Sequence, residues 1–122
     1  MHEASLVRTL LRKVTDLLAE HQGDSVETII VELGPLSGVE PLLVQSAFDQ
    51  LVSQSPLAGA QLMINEIPLE AKCRECQALF EVESFRFLCP TCGATNVQVV
   101  RGDEFRLLSI TIQQSLTDKA NV

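Results

Sequence analysis

Four cysteines are the residues whose types and spacing speak most directly of chemistry. Cys73-Arg74-Glu75-Cys76 and Cys89-Pro90-Thr91-Cys92-Gly93 form two C-x2-C turns with twelve residues between them. Two intervening residues let each turn aim both sulfurs at one point, so the four thiolates can surround a single ion tetrahedrally. Such a sphere is closed, with no position left for a substrate water, and its ion holds a fold together rather than performing a reaction. Gly93 gives a permissive backbone position where amides can approach the thiolates. Zn(II) is the expected ion. Iron in a rubredoxin-like site is the rival, because both metals suit four thiolates. Free buried thiols or a redox pair are the bland alternative, which the doubled motif opposes.

The amino terminus offers a second set of ligands. The Met1 amine, the peptide nitrogens of His2 and Glu3 and the His2 imidazole can together surround one metal, and a planar set of nitrogens matches Ni(II) or Cu(II). The bulk of His2 should also hinder removal of Met1 and keep that register. Taken by itself, a histidine at this position is ordinarily a frayed terminal residue. The other histidine, His21, falls near the end of a helical pattern, where interaction with the helix C-terminus or with water is its ordinary role.

Charge and composition exclude several classes. A formal charge of −7 with nine Lys and Arg dispersed along 122 residues argues against a partner held through phosphates, and the absence of Trp and Tyr removes the best stacking platforms for bases. Nucleic acid is therefore not an expected partner. An apolar fraction of 46% with 20% charged residues is that of a globular chain. No apolar run approaches the roughly 20 residues of a membrane span, so no membrane is expected. Met1-His2-Glu3 leads into no basic and apolar leader pattern, and the expected location is the cytoplasm. In that reducing compartment paired cysteines are ligands rather than disulfides.

These sites need elements to position them. From Ser5 to about Glu20, Leu6, Leu10, Val14, Leu17 and Leu18 recur at three- and four-residue steps, which predicts an amphipathic helix ended by Gln22-Gly23-Asp24. Ser25 to Gly34 is rich in β-branched residues, with Ile29, Val31 and Leu33 on one side of a predicted strand. Pro41 opens a second helix carrying Val44, Ala47, Phe48, Leu51 and Val52 on one face. Ala60 to Ile67 is another strand, and Glu104 to Gln113 alternates in a way that suits a strand buried in part on both faces. The expected fold is α+β: a small three-stranded sheet with two helices on one face, plus an inserted zinc-ribbon-like module. The expected domains are residues 1–67 with 103–122, binding nickel, and residues 68–102, binding zinc.

Met1-His2-Glu3 before a helix, Val31-Glu32-Leu33-Gly34, Val39-Glu40-Pro41 and the paired cysteines together resemble the hydrogenase nickel-incorporation proteins of the HypA/HybF family. The likeness spans nearly the whole chain, and its most specific elements are His2-Glu3 and Cys89-Pro90-Thr91-Cys92-Gly93. It implies a nickel metallochaperone, not an enzyme. Met1, His2 and Glu3 would carry Ni(II) as cargo, and Cys73, Cys76, Cys89 and Cys92 would hold structural Zn(II). The acidic Glu40 matches a family position near the nickel site. The partners implied are the GTPase HypB and the large subunit of [NiFe] hydrogenase, with urease maturation factors as further clients in some members. The departures are Ala4, where larger residues are common, and Gln77, where the first cysteine pair is usually followed by Gly. The rival function is a zinc-ribbon interaction module for nucleic acid or the transcription machinery, which the charge opposes. An enzyme built on a carboxylate such as Glu40 lacks any visible nucleophile and base.

Overall fold

The computed structural model describes residues 2–114. The element order is α1 (His2–Glu20), β1 (Ser25–Leu33), α2 (Pro41–Val52), β2 (Gln61–Glu66), β3 (Glu70–Cys73), β4 (Leu79–Glu81), β5 (Val97–Arg101) and β6 (Phe105–Gln113). The chain divides into two units: Met1–Val31 with Val39–Ile64 and Leu107–Val122, and Glu32–Gly38 with Asn65–Arg106. Among the described residues no helix is long and apolar enough to cross a membrane.

In the first unit α1 buries Val7, Leu10, Leu11 and Val14. This i, i+3, i+4, i+7 stripe is rotated from the expected one, because Leu6, Leu17 and Leu18 are only half-buried and sit on its flanks. Val7 and Leu11 belong to the same face but lie outside the set singled out from the sequence. The helix ends where Gln22 takes a left-handed φ of 54° and Gly23 N–H donates to Leu18 O at 3.1 Å, satisfying carbonyls that the last turn leaves open. Helix α2 starts at Pro41, whose fixed φ suits the first turn, and buries Val44, Phe48 and Val52 while packing against α1. Strand β1 buries Val26, Ile29 and Val31 here, and Leu33 is buried where the strand enters the second unit.

Strands β2, β1 and β6 form one sheet in the order β2-β1-β6. Ile67 N–H donates to Leu33 O at 3.0 Å, so β1 and β2 end together and run parallel, with α2 in their crossover. Asp24 N–H donates to Gln113 O and Gly34 N–H to Glu104 O, so β6 runs antiparallel to β1. The sequence suggested a β6 buried in part on both faces. Phe105 and Leu107 on one face and Ile110 and Ile112 on the other are indeed half-buried, and none is fully buried because β6 occupies an edge of the sheet.

The cysteine region, expected as one undivided module, contains a sheet of its own. Strand β3 lies between β4 and β5, antiparallel to both, with a bulge between Glu70 and Ala71 against β5. Leu69, Ala71 and Val82 form its small core, with Phe80, Phe87, Val97 and Val99 packed around them. Glu32 is 14% exposed and ties this unit electrostatically: Arg106 Nε lies 3.2 Å from it and Arg101 3.8 Å, while Arg101 also reaches Glu70 at 3.9 Å. Where the chain leaves β5, Gly102 adopts φ 103°, and its missing side chain leaves room for the Pro68 and Leu69 backbone, while the missing side chain of Gly34 leaves room for the Gly102 backbone.

Gly102→Ala is expected to destabilise the second unit by about 1–3 kcal/mol or more, from the disfavoured φ together with contacts on rigid backbone. Gly38→Ala isolates the first effect, because Gly38 has φ 84° but open space around it. Chemical denaturation followed by near-ultraviolet and amide signals should give the larger loss for Gly102→Ala.

Candidate metal centre

The two cysteine turns are structural copies of one another. Cys73 N–H donates to Ala78 O and Gln77 N–H to Cys73 O; Cys89 N–H donates to Ala94 O and Gly93 N–H to Cys89 O, all at 2.8–2.9 Å. Each turn closes on a left-handed residue after its second cysteine, Gln77 at φ 69° and Gly93 at φ 79°. Glycine adopts that conformation freely, whereas a side chain there costs about 1–2 kcal/mol. The fold imposes it on Gln77, whose Nε2 finds a weak partner in Arg74 O at 3.3 Å.

This repeated geometry buries the first cysteine of each turn and exposes the second: Cys73 and Cys89 are buried, Cys76 and Cys92 exposed. The turns meet crosswise, with Cys73 Sγ 3.6 Å from Cys92 Sγ and Cys76 Sγ 3.6 Å from Cys89 Sγ. All four ligand atoms lie within 4.8 Å of one another. A disulfide needs about 2.05 Å, so these are four separate thiols. A tetrahedron with metal–sulfur bonds of about 2.3 Å has edges of about 3.8 Å, close to the observed cross-pair separations. The residues therefore fit one tetrahedrally bound ion.

Backbone dipoles prepare the buried sulfurs for negative charge. Cys73 Sγ accepts the N–H groups of Cys76 at 3.4 Å and Glu75 at 3.3 Å. The Cys76 N–H and, after it, the Glu75 N–H lower the Cys73 thiol against the opposing effect of burial. At Cys89 the Cys92 N–H is the largest influence and the Thr91 N–H adds to it, bringing the thiol down to about 6 despite burial. For Cys92 the Ala94 N–H lowers the thiol, but the Cys73 thiol, partial desolvation of the sulfur and the other two cysteines outweigh it and push it up to about 12. Cys76 is raised in the same way, its Ala78 N–H outweighed by burial and by Cys89. Asn96 braces the first turn from outside, its Nδ2 donating to Glu75 Oε2 at 3.1 Å and its carbonyl accepting from Arg74 N–H. No sequence signal marks Asn96, because its partner lies 21 residues away.

The amino-terminal candidates are placed in part. Met1 and the side chain of His2 lie outside the described residues, and His2 opens α1. Glu3 and Glu40, 37 positions apart, are brought together: Glu40 N–H donates to Glu3 Oε2 at 3.2 Å. Glu40 is the extended residue before α2, and its own side chain makes no capping hydrogen bond. His21 is exposed beyond α1, with its carbonyl accepting from Gln114 Nε2.

Fold and centre define the class, a small α+β protein carrying a closed four-thiol site that suits a structural ion. Over residues 1–112 the sequence matches the protein family described as "HypA: Hydrogenase/urease nickel incorporation, metallochaperone, hypA". The hydrogenase maturation factor HypA of Aquifex aeolicus is 35% identical over 93% of this chain and 98% of its own. That of Geotalea uraniireducens is 31% identical over 93% and 100%. Among solved structures, the Ni metallochaperone HypA from Helicobacter pylori superposes with a TM-score of 0.69 at 26% identity, over 93% of this chain and 98% of that one. The chain belongs to the HypA family.

Two outcomes are expected at this centre. Gln77→Gly, by relieving the left-handed strain, should stabilise the metal-loaded module by about 0.5–1 kcal/mol, read from amide exchange of residues 70–101. Acid should release the ion. In the metal-free chain the lowered Cys89 thiol contributes stability that is fully present above its unfolded value and is lost as pH falls through about 6. A bound cation holds the thiolates ionised further, so metal content measured against pH should fall only below that range, with proton uptake matching metal loss.

Proposed function

We propose that this protein is a nickel metallochaperone that delivers Ni(II) for the maturation of [NiFe] hydrogenase, with Zn(II) bound by Cys73, Cys76, Cys89 and Cys92 as a structural ion. The domains in this reading are residues 1–67 with 103–122 for nickel and 68–102 for zinc. Membership of the HypA family supports the function. The observation that carries its location is the junction of Glu3 with the Glu40 backbone, which ties the first turn of α1 to the start of α2. The first four N–H groups of a helix have no partner within it, so the peptide nitrogens of His2 and Glu3 are not committed to helical bonds. With the Met1 amine and the His2 imidazole they form a nitrogen set of the kind Ni(II) favours. Glu40, whose N–H meets the Glu3 carboxylate, has a side chain free of any capping bond, and in this reading it serves the metal or a receiving protein.

The division of labour follows from coordination chemistry. A cage of four thiolates is closed and holds its ion, whereas a terminal chelate can be displaced a few nitrogens at a time. The site is thus a carrier rather than a catalyst. The partners in this reading are a HypB GTPase and the hydrogenase large subunit in the cytoplasm, with urease maturation factors as further clients.

Calorimetric titration of Ni(II) tests the assignment. His2→Ala, an alanine inserted between Met1 and His2, and an N-terminal tag are each expected to abolish tight nickel binding while zinc content and helicity stay unchanged. Tight binding by the tagged protein would overturn it. Glu40→Ala should impair transfer of nickel to an acceptor with little loss of thermal stability.

A further inference from the structure

The zinc module carries an edge and a groove that neither the thiol centre nor nickel delivery uses. In β4 and the residues flanking it, Ala78, Phe80 and Val82 turn their backbone groups towards β3: Cys73 N–H donates to Ala78 O, Ala71 pairs with Phe80, and Val82 N–H donates to Leu69 O at 2.7 Å. Alternation along an antiparallel pair then turns the backbone N–H and C=O of Leu79 and Glu81 away from β3. No strand follows β4 on that side among the described residues. Beside this edge lies a groove of about 450 Å³ with Phe80, Leu88 and Pro90 as its apolar part and Glu81, Glu83 and Arg86 as its charged rim. None of those three charges has an ion-pair partner among the described residues.

The wall of the groove is built in an unusual way. Arg86 N–H donates to Glu83 O at 3.0 Å, closing a turn whose central residues, Ser84 and Phe85, both have positive φ, 54° and 57°. That pattern ordinarily takes Asn-Gly. Here it carries Phe85, held 57% exposed, on the same module as Leu79 at 72% and Leu88 at 43%. The small core under β4 has few residues to bury, so these side chains remain available to a partner.

We propose that the open edge of β4 receives an extended segment of a partner protein in which aliphatic and basic side chains alternate. Added as a strand, the segment would bond to the outward groups of Leu79 and Glu81. Its alternate side chains would fall on opposite faces, the aliphatic ones over Phe80 and Leu88, the basic ones beside Glu81 and Glu83. Two carboxylates against one guanidinium make the rim net acidic, and the chain's charge of −7 favours the same choice. The inference stands apart from the nickel reading, because it involves only the zinc module.

The test uses the full-length, zinc-loaded, nickel-free protein and a short capped peptide alternating Val and Lys, with Val/Glu and Ser/Lys peptides as comparators. Fluorescence anisotropy should give saturable binding of the Val/Lys peptide, and amide shifts should centre on Leu79, Glu81 and Leu88. The comparators should bind about tenfold or more weakly. Leu79→Pro removes an outward N–H at an exposed position and should weaken the Val/Lys peptide about tenfold at unchanged zinc content. Should that variant lose zinc, the double variant Glu81→Lys, Glu83→Lys decides, with the same loss expected. Absence of binding, equal binding of the Ser/Lys peptide, or shifts away from β4 would overturn the proposal. So would self-association through β4 that excludes the peptide, since the occupant would then be a second copy of this chain.

Discussion

Four sulfurs within 4.8 Å of one another cannot all be ionised without a cation among them, and the cysteine module is organised around that constraint. Its backbone makes the preparation by halves. The N–H groups of Glu75 and Cys76, and of Thr91 and Cys92, stabilise charge on the buried Cys73 and Cys89. The exposed Cys76 and Cys92 hold their protons the harder for it. A bound cation reverses that balance, and the attraction it supplies is what a module with only Leu69, Ala71 and Val82 as its buried cluster lacks. The same need explains why Gln77 is held in a left-handed conformation, since the turn that aims the sulfurs leaves no other choice.

Around that module the second unit is fastened by close backbone contact and by one half-hidden carboxylate. Gly34 and Gly102 allow segments far apart in sequence to approach without side chains between them, and Leu36 N–H donates to Gly102 O at 2.9 Å. Glu32 accepts from Arg106 and faces Arg101, which also faces Glu70. With the guanidiniums 45% and 59% exposed, these pairs contribute orientation more than stability.

The first unit solves a different problem, which is to hold the start of α1. A helix in a protein draws most of its stability from packing of its apolar face, and its ends fray. The apolar stripe of α1 seats the body of the helix, and the Glu3 carboxylate catches the Glu40 N–H at its beginning. Under the proposed nickel reading, a donor site at the helix start would gain definition from such an anchor.

The sequence by itself determined the longer elements and the four-thiol site in kind. Period-2 and period-3.6 patterns located α1, α2, β1, β2 and β6 because each buries one face, and C-x2-C spacing announced the thiol cage because two residues are what a knuckle needs. Family membership was legible in the same residues. What only the tertiary structure decided were the relations between distant segments. The short strands β3, β4 and β5 escaped notice because each is too brief to show a period. The facing of Glu3 and Glu40, the Asn96 brace and the Gly34–Gly102 approach join residues with no local signal. The alignment of the α1 stripe on Val7 and Leu11 was settled by packing, since a helix with apolar residues on several sides turns towards whichever neighbour buries most of them.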